Sequence, residues 1–475
     1  MKKLKLFVEN LLVYGLGGVI SKIVPLVMVP IITRMMPNTE YYGLSDLSNT
    51  LISIGSALAV MGMYDAMYRM FFEKDETEFK KKVCSTALLF TIMTSAVVFV
   101  IMCLLARPIA ALFFSDATLG YLVYLSAIAT LVGATNSIIS APTRMQNKRT
   151  VFLIANTVSP LLSYGISIPL LLGGHYIIAL PLAGIISGVT MELTFYLLNR
   201  SWFTFKGFDI KLLKTMLLIA IPLLPNFLIY WVFNSSDKLM ITNLMSVGAA
   251  GIYSVGSKLG HASQLIYMAF SGGWQFFSFS TMKDDDQVRS NSAIFEYLGA
   301  ISFVATAFIC ALSFPIYRLL FEPEYLEGYI IAPYLFAAPL LQMLFQVACN
   351  QFIIIKKTWP NMLILSSGAL VNVALNFILI PILSIEGAAV ATLIGYVVSD
   401  IICVLVLCKM KLMVISKRFV FTVLLTTAYF VIWRLFIPTN AILGLVLAVS
   451  FTAAVAVIYK KDLIGLVKGI RKSEQ

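Results

Sequence analysis

Charge is scarce in this sequence. Only 12% of its 475 residues are Asp, Glu, Lys or Arg, 60% are hydrophobic, and the mean hydropathy is +0.91. Soluble domains carry roughly 25% charged residues, so the scarcity excludes a soluble globular class and indicates an integral membrane protein. Paired cysteines are lacking as well. Cys84, Cys103, Cys310, Cys349, Cys403 and Cys408 stand singly in apolar stretches, with neither CxxC nor metal-ligand spacing, which argues against a disulfide framework or a metal centre and reads them as core residues. Long polar segments are missing too. The connections between apolar runs are too short to hold a soluble catalytic domain, and the single acidic run, Lys283-Asp284-Asp285-Asp286, reads as a solvated turn.

What is present is a succession of apolar runs of about 20 residues, the length that crosses a bilayer as a helix. The expected spans are 11–34, 43–68, 83–106, 119–141, 151–172, 176–198, 215–245, 249–273, 291–314, 329–354, 361–383, 386–408, 418–435 and 440–459, fourteen in all. The start, MKKLKLFVENLLVYGLGG, resembles a signal peptide in charge order, but its apolar run passes residue 30 without a small-residue cleavage pattern, so it reads as a retained first span.

The net charge of +12 sorts by connection rather than pointing to nucleic acid. Alternate connections and both tails hold most of the 35 Lys and Arg residues, while the opposite side holds only Arg34, Arg107, Arg318 and Arg434, and Lys22, Lys238 and Lys258 fall within spans. The positive-inside rule then places both termini in the cytoplasm.

The chain also repeats itself. QNKRTVFLIANTVSPLL, from Gln146, has a counterpart in IIKKTWPNMLILSSGALVNVAL, from Ile354, where Arg149-Thr150 meets Lys357-Thr358 at an offset of 208. Nearly the same offset links Pro108-Ile109 with Pro315-Ile316, Gly120-Tyr121 with Gly328-Tyr329, Gly188 with Gly395, and Ile32-Thr33 with Ile241-Thr242. Six spans return the chain to one side, so the halves are parallel repeats, a common transporter plan with the substrate path between halves. The expected organisation is all-α and polytopic: an N-lobe over 1–200, a cytoplasmic linker over 201–214, a C-lobe over 215–408, and a C-terminal helical hairpin with its tail over 409–475. The repeat also ends span 7 at Ile241-Thr242, which puts Asp237 and Lys238 inside that helix.

Four segments carry a family likeness: SKIVPLVMVPIITRMMPNTEYYGLSDL (21–47), MYRMFFEKDETEFKKKV (67–83), SDKLMITNLMSVGAAGIYSVGSKL (236–259) and NFILIPILSIEGAAVATLIGYVVSD (376–400). Together and in this order they resemble the polysaccharide transporter branch of the multidrug, oligosaccharidyl-lipid and polysaccharide (MOP) exporter superfamily. The resemblance implies a MATE-like fold in the bacterial cytoplasmic membrane and a flippase moving an undecaprenyl-diphosphate-linked glycan outward by alternating access. It implies that spans 1, 2, 7 and 8 line the cavity, that no cofactor is needed, that a proton or sodium gradient drives transport, and that membrane lipids, a polysaccharide polymerase and glycosyltransferases are the partners, with no nucleic acid. The additional tyrosine in EYYGL departs from the family pattern, and the count of fourteen is shared with lipid II flippases, so a peptidoglycan-precursor flippase stays open as an alternative.

A lone charge at mid-bilayer costs roughly 2.5–3.5 kcal/mol on insertion scales, so it faces a bundle interior or a watery cavity. Lys22 in span 1, and Lys258 with His261 in span 8, are expected near the midplane. As substrate contacts, the lysines would hold a diphosphate as point charges; as structural residues, they would pair with Asp46, Asp237 or another acid, and His261 would be a hydrogen-bonded core residue. Arg34 and Arg69, at opposite ends of spans 1 and 2, match family positions and read either as headgroup receivers at the two mouths or as interfacial anchors. Asp46, Asp65, Glu192, Asp237, Glu296 and Asp400 lie in or at the ends of spans; Asp46 and Asp237 are the leading ion-coupling candidates, although Asp237 beside Lys238 also reads as a local pair. Pro25 and Pro30, with Pro222 and Pro225, suggest bent helices in spans 1 and 7. A multidrug antiporter would want acids and aromatics in the cavity, where the midplane candidates here are basic; an enzyme would want a catalytic loop; a scaffold for a synthesis complex is the third rival.

Overall fold

A computed structural model describes residues 23–204, 207–355, 357, 359–462 and 464. Every regular element among them is helical. In chain order these are α1 (Ile23–Arg34), α2 (Thr39–Val60), α3 (Met63–Phe71), α4 (Thr77–Leu104), α5 (Ala106–Phe114), α6 (Gly120–Met145), α7 (Arg149–Leu172), α8 (Ala179–Asn199), α9 (Ile210–Ala220), α10 (Leu224–Leu244), α11 (Val247–Gly260), α12 (Gln264–Ser280), α13 (Gln287–Leu320), α14 (Ala332–Ile354), α15 (Trp359–Lys409), α16 (Lys417–Phe436) and α17 (Ala441–Ile458).

Among the described residues ten helices are long and apolar enough to cross a membrane, or eleven when α2 and α3 count as one bent span. The expected fourteen is not reached on this criterion, for three reasons. The first half of expected span 1, with Lys22, lies outside the described residues. Expected span 8 is broken: α11 stops at Gly260, a 3-10 turn covers His261–Ser263, and α12 starts at Gln264. Expected spans 11 and 12 run together as α15, 51 residues long, whose two arms meet at a kink where Ser384 has φ 55° and ψ −140°.

The chain divides into two compact units. The first comprises Met1–Ser254 with Asn376–Ala388. Its centre is α6, which packs against α2, α4 and α8, and its apolar core draws Met63, Met67, Cys84, Ile138 and Met216 from α3, α4, α6 and α9. The bend between α2 and α3, 47°, has a local cause. Met61 and Gly62 both take left-handed conformations, with φ 49° and 74°, and a Cβ on Gly62 would stand 2.6 Å from the Ala220 carbonyl oxygen. Only glycine meets both demands.

Local capping chemistry sets several helix starts. Asp209 accepts from the amides of Leu212 (3.1 Å) and Lys211 (2.8 Å) at the start of α9, and these bonds hold its carboxyl below the usual carboxylate range. As the proline pattern suggests, span 7 is interrupted: α9 ends at Ala220, a 3-10 turn covers Ile221–Leu223, and α10 restarts at Leu224 with Pro225 in its first turn. Proline lacks the N–H that an uninterrupted helix would need at these places.

The second unit comprises Val255–Leu375 with Ala389–Gln475. Here α13 packs on α14, α16 and α17. Glu296, counted above among the acids in spans, fastens the hairpin: its oxygens accept from the Ser416 amide and hydroxyl at 2.7 Å each. Ser416 in turn caps α16 through the Phe419 amide, and Arg418 bridges Glu296 and Asp462. All six cysteines are free thiols; Cys84, Cys310, Cys349 and Cys403 are buried as the core reading expects, while Cys103 and Cys408 are half-buried, and Lys283 to Asp286 form an exposed turn between α12 and α13, as read from sequence.

Gly62→Val combines a forbidden φ with overpacking and is expected to cost about 1–3 kcal/mol. Thermal unfolding of the purified variant should show a lowered transition; an unchanged one would remove the steric account of the bend.

Candidate substrate and ion-coupling site

The site grows from a close helix crossing in the first unit. Gly43 of α2 and Gly251 of α11 face each other so tightly that a Cβ on Gly43 would lie 2.4 Å from the Val247 carbonyl oxygen, and one on Gly251 would lie 2.1 Å from that of Thr39. Small residues of this kind let helices approach in an apolar bundle, where packing rather than water drives association. One turn further along both helices, Asp46 accepts a 2.7 Å hydrogen bond from the Ser254 hydroxyl. These two residues are 208 positions apart, the offset of the sequence repeat.

Asp46 is buried, and its principal partner is a cation. Lys238 of α10 donates to the same carboxylate oxygen in a salt bridge whose side chains are 13% and 5% exposed. The adjacent Asp237, also buried, meets groups of other helices: the Tyr253 hydroxyl donates to it at 2.6 Å and the Asn376 amide at 2.7 Å. Of the two readings of Asp237, the local pair with Lys238 does not form, because Lys238 reaches across to α2 for Asp46 instead. Successive residues of a helix diverge by about 100°, so neighbours in sequence serve different partners. The side-chain oxygen of Asn376 is buried with no hydrogen-bond partner. Around this cluster, Trp231 donates to the Ser53 hydroxyl at 2.9 Å, and Thr242 returns a bond to the Lys238 carbonyl at 2.8 Å.

Lys258 and His261 belong to the second unit. Both are half-buried, and neither stands without a partner, so neither is an isolated polar group in an oily helix. They flank the point where α11 gives way to the 3-10 turn. Nearby, the Tyr317 hydroxyl donates toward the carbonyls of Val255 (3.2 Å) and Gly256 (3.0 Å), and the Ser263 hydroxyl donates to that of Phe336 at 2.7 Å. Arg34 ends α1 and Arg69 sits in the last turn of α3, both exposed. Lys22 lies outside the described residues.

Of the expected site residues, the structure brings together Asp46 and Asp237 through the adjacent pairs Asp237-Lys238 and Tyr253-Ser254. Sequence reasoning missed Ser254, Tyr253 and Asn376. Ser254 was discoverable: it is the repeat counterpart of Asp46, and a serine facing an aspartate across a glycine crossing is a natural donor.

The apolar helical architecture with buried, partnered charges is that of a polytopic membrane protein. The chain belongs to the polysaccharide biosynthesis protein family, whose profile matches residues 31–330. A search of curated proteins returned no match by sequence. Among solved structures the chain is similar to the lipid II flippase MurJ in its inward closed conformation, with TM-score 0.69, 16% identity, and coverage of 95% of this chain and 100% of that one. It is also similar to an inward-facing MATE family multidrug resistance transporter of the MOP superfamily (TM-score 0.59, 14% identity, 83% and 98% covered). A point mutant of the MATE transporter VcmN of Vibrio cholerae gives 0.60 at 12% identity with 86% and 98% covered. These neighbours are named as flippases and transporters, not as enzymes.

Removing one member of a buried ion pair strands the other and costs about 3–5 kcal/mol, whereas replacing both by apolar groups is often near neutral. Asp46→Leu should therefore destabilise strongly, and Asp46→Leu with Lys238→Leu should recover most of the loss. Chemical or thermal unfolding of the purified variants measures both; equal losses in the single and double variants would show that the pair is not coupled.

Proposed function

We propose that this protein is a flippase for a polyprenyl-diphosphate-linked oligosaccharide, working by alternating access in a bacterial cytoplasmic membrane with both termini in the cytoplasm. The observation that carries the reading is the broken span between α11 and α12. It sets Lys258 and His261, half-buried, into an apolar helix of a chain whose family serves polysaccharide biosynthesis. A translocated lipid-linked sugar demands shielding of its diphosphate from hydrocarbon, and lysine supplies a strongly hydrated, adaptable cation for that purpose. Lys22 shares this role, and Arg34 and Arg69 receive the headgroup at the two mouths. A polymerase and glycosyltransferases supply and consume the substrate.

Asp237 is the better coupling residue of the two acids. Asp46 shares one carboxylate oxygen between Lys238 and Ser254, while Asp237 accepts from Tyr253 and Asn376 on separate oxygens. The partnerless Asn376 oxygen beside it offers a second ligand for a proton or sodium ion. A peptidoglycan-precursor flippase is the second reading. In its favour, the likeness to the lipid II flippase extends over 95% of the chain, where the multidrug transporters cover 83% and 86%.

In proteoliposomes loaded with a fluorescent polyprenyl-diphosphate saccharide, Lys22→Ala with Lys258→Ala should lower translocation by roughly tenfold or more, the scale of one lost charge-assisted contact or greater. Full translocation by a normally inserted double variant would sink the site assignment. Asp237→Asn should leave a residual rate that no longer responds to an imposed proton or sodium gradient; a retained response would remove Asp237 from coupling.

A further inference from the structure

A polar cavity, separate from the cluster above, lies wholly inside the first unit. It has a volume of about 300 Å³ and is bounded by α3, α6, α7 and α8. Its polar wall is made by Tyr64, Asn136, Ser137, Ser140, Arg144 and Asn156. On α6 the residues recur at intervals of three or four, so they share one face of the helix, and Phe152, Asn156 and Ser159 do the same on α7. Polar groups in such a pattern on apolar helices have a cost unless they are matched by something.

The hydrogen bonds inside the wall show what that partner must be. Ser137 spends its hydroxyl proton on the Ala134 carbonyl (2.7 Å), Ser140 on that of Ser137 (3.4 Å), and the Asn156 amide donates to the Phe152 carbonyl (2.8 Å). A hydroxyl has one proton but two lone pairs, and an amide has two N–H protons and an oxygen with two lone pairs, so what these side chains have left to present is mostly acceptors, with the second Asn156 amide proton as a donor. The Asn136 amide oxygen behind this wall is buried and has no partner. An acceptor-rich wall calls for a ligand rich in O–H or N–H donors.

One cation stands at the rim. Arg144 donates to the Tyr64 hydroxyl at 3.0 Å, and its guanidinium lies 5.2 Å from the centre of the Phe152 ring. Hydrogen bond and ring together fix the orientation of the planar fork, the geometry suited to a phosphate. Met191 and Phe195 supply apolar wall for the C–H face of a ring. Thr143 is already occupied, accepting from Asn199 at 2.8 Å.

The geometry points to a sugar-phosphate subsite: the cavity takes a sugar residue joined to phosphate, its hydroxyls donating to Ser137, Ser140 and Asn156 and its phosphate held by Arg144. The volume lies at the lower end of ligand pockets, which fits a single sugar phosphate rather than a whole oligosaccharide. The inference deepens the flippase reading and rests on it, because the basic connection next to Arg144 faces the cytoplasm under that reading, where a lipid-linked sugar would arrive. The subsite is then the headgroup's first station.

The test uses the full-length purified protein in lipid nanodiscs and a panel of probes: glucose 1-phosphate, galactose 1-phosphate, N-acetylglucosamine 1-phosphate, the corresponding free sugars and inorganic phosphate. At least one sugar phosphate should bind at least roughly tenfold more tightly than inorganic phosphate or its own free sugar. Arg144→Gln should abolish that binding, and Arg144→Lys should restore part of it. Ser140→Leu fills the cavity while leaving the cation in place, so it should erase the preference for sugar phosphate over inorganic phosphate. If no sugar phosphate outcompetes inorganic phosphate, or if binding is indifferent to both Arg144→Gln and Ser140→Leu, the subsite is overturned. Translocation measured on the same preparation separates the two claims. Translocation without Arg144-dependent binding sinks the subsite alone, and Arg144-dependent binding without translocation sinks the flippase reading alone.

Discussion

A charge carried into an apolar helical bundle must find a partner, and much of this protein's local architecture follows from that demand. Asp46 and Asp237 are buried, and each is met by groups from other helices: Lys238 and Ser254 for the first, Tyr253 and Asn376 for the second. Two acids thereby draw α2, α10, the start of α11 and the first arm of α15 into one arrangement. The same logic fastens the hairpin, where Glu296 takes a helix-capping serine and Arg418.

Such contacts need helices that approach closely, and glycine supplies the approach. Gly43 and Gly251 leave no room for a methyl group on either side, so the polar contact one turn away is a consequence of the crossing. Elsewhere the backbone yields instead. The left-handed pair Met61 and Gly62, the Ser384 kink and the 3-10 turn at His261 bend or interrupt helices whose hydrophobicity alone would carry them straight through. Irregular backbone at membrane depth is tolerated where protein groups satisfy it, as Tyr317 does for the carbonyls of Val255 and Gly256.

The helical class, the apolar runs, the family likeness and the breaks at Pro222 and Pro225 were legible in the residues, because hydropathy over about 20 residues and missing proline N–H groups act locally. The break at His261 was not: the segment VGSKLGHASQ carries no proline, and its helix propensity gives no clear stop. Asp46 and Asp237 read as acids within spans and are buried, yet the pairing of Lys238 with Asp46 was not legible, since adjacency along a chain suggests a local pair that helical geometry separates.

The sequence by itself determined that this chain is an all-helical membrane protein with the motifs of its family, and which rare charges its helices carry, because transfer into lipid is decided residue by residue. Only the tertiary structure decided which charge meets which, that Ser254 and Asn376 complete the acid cluster, and that Arg144 with the amides and hydroxyls of α6 and α7 encloses a polar cavity. Those facts depend on distances between helices far apart in sequence, and on which face each turns inward, and neither quantity is fixed until the helices pack.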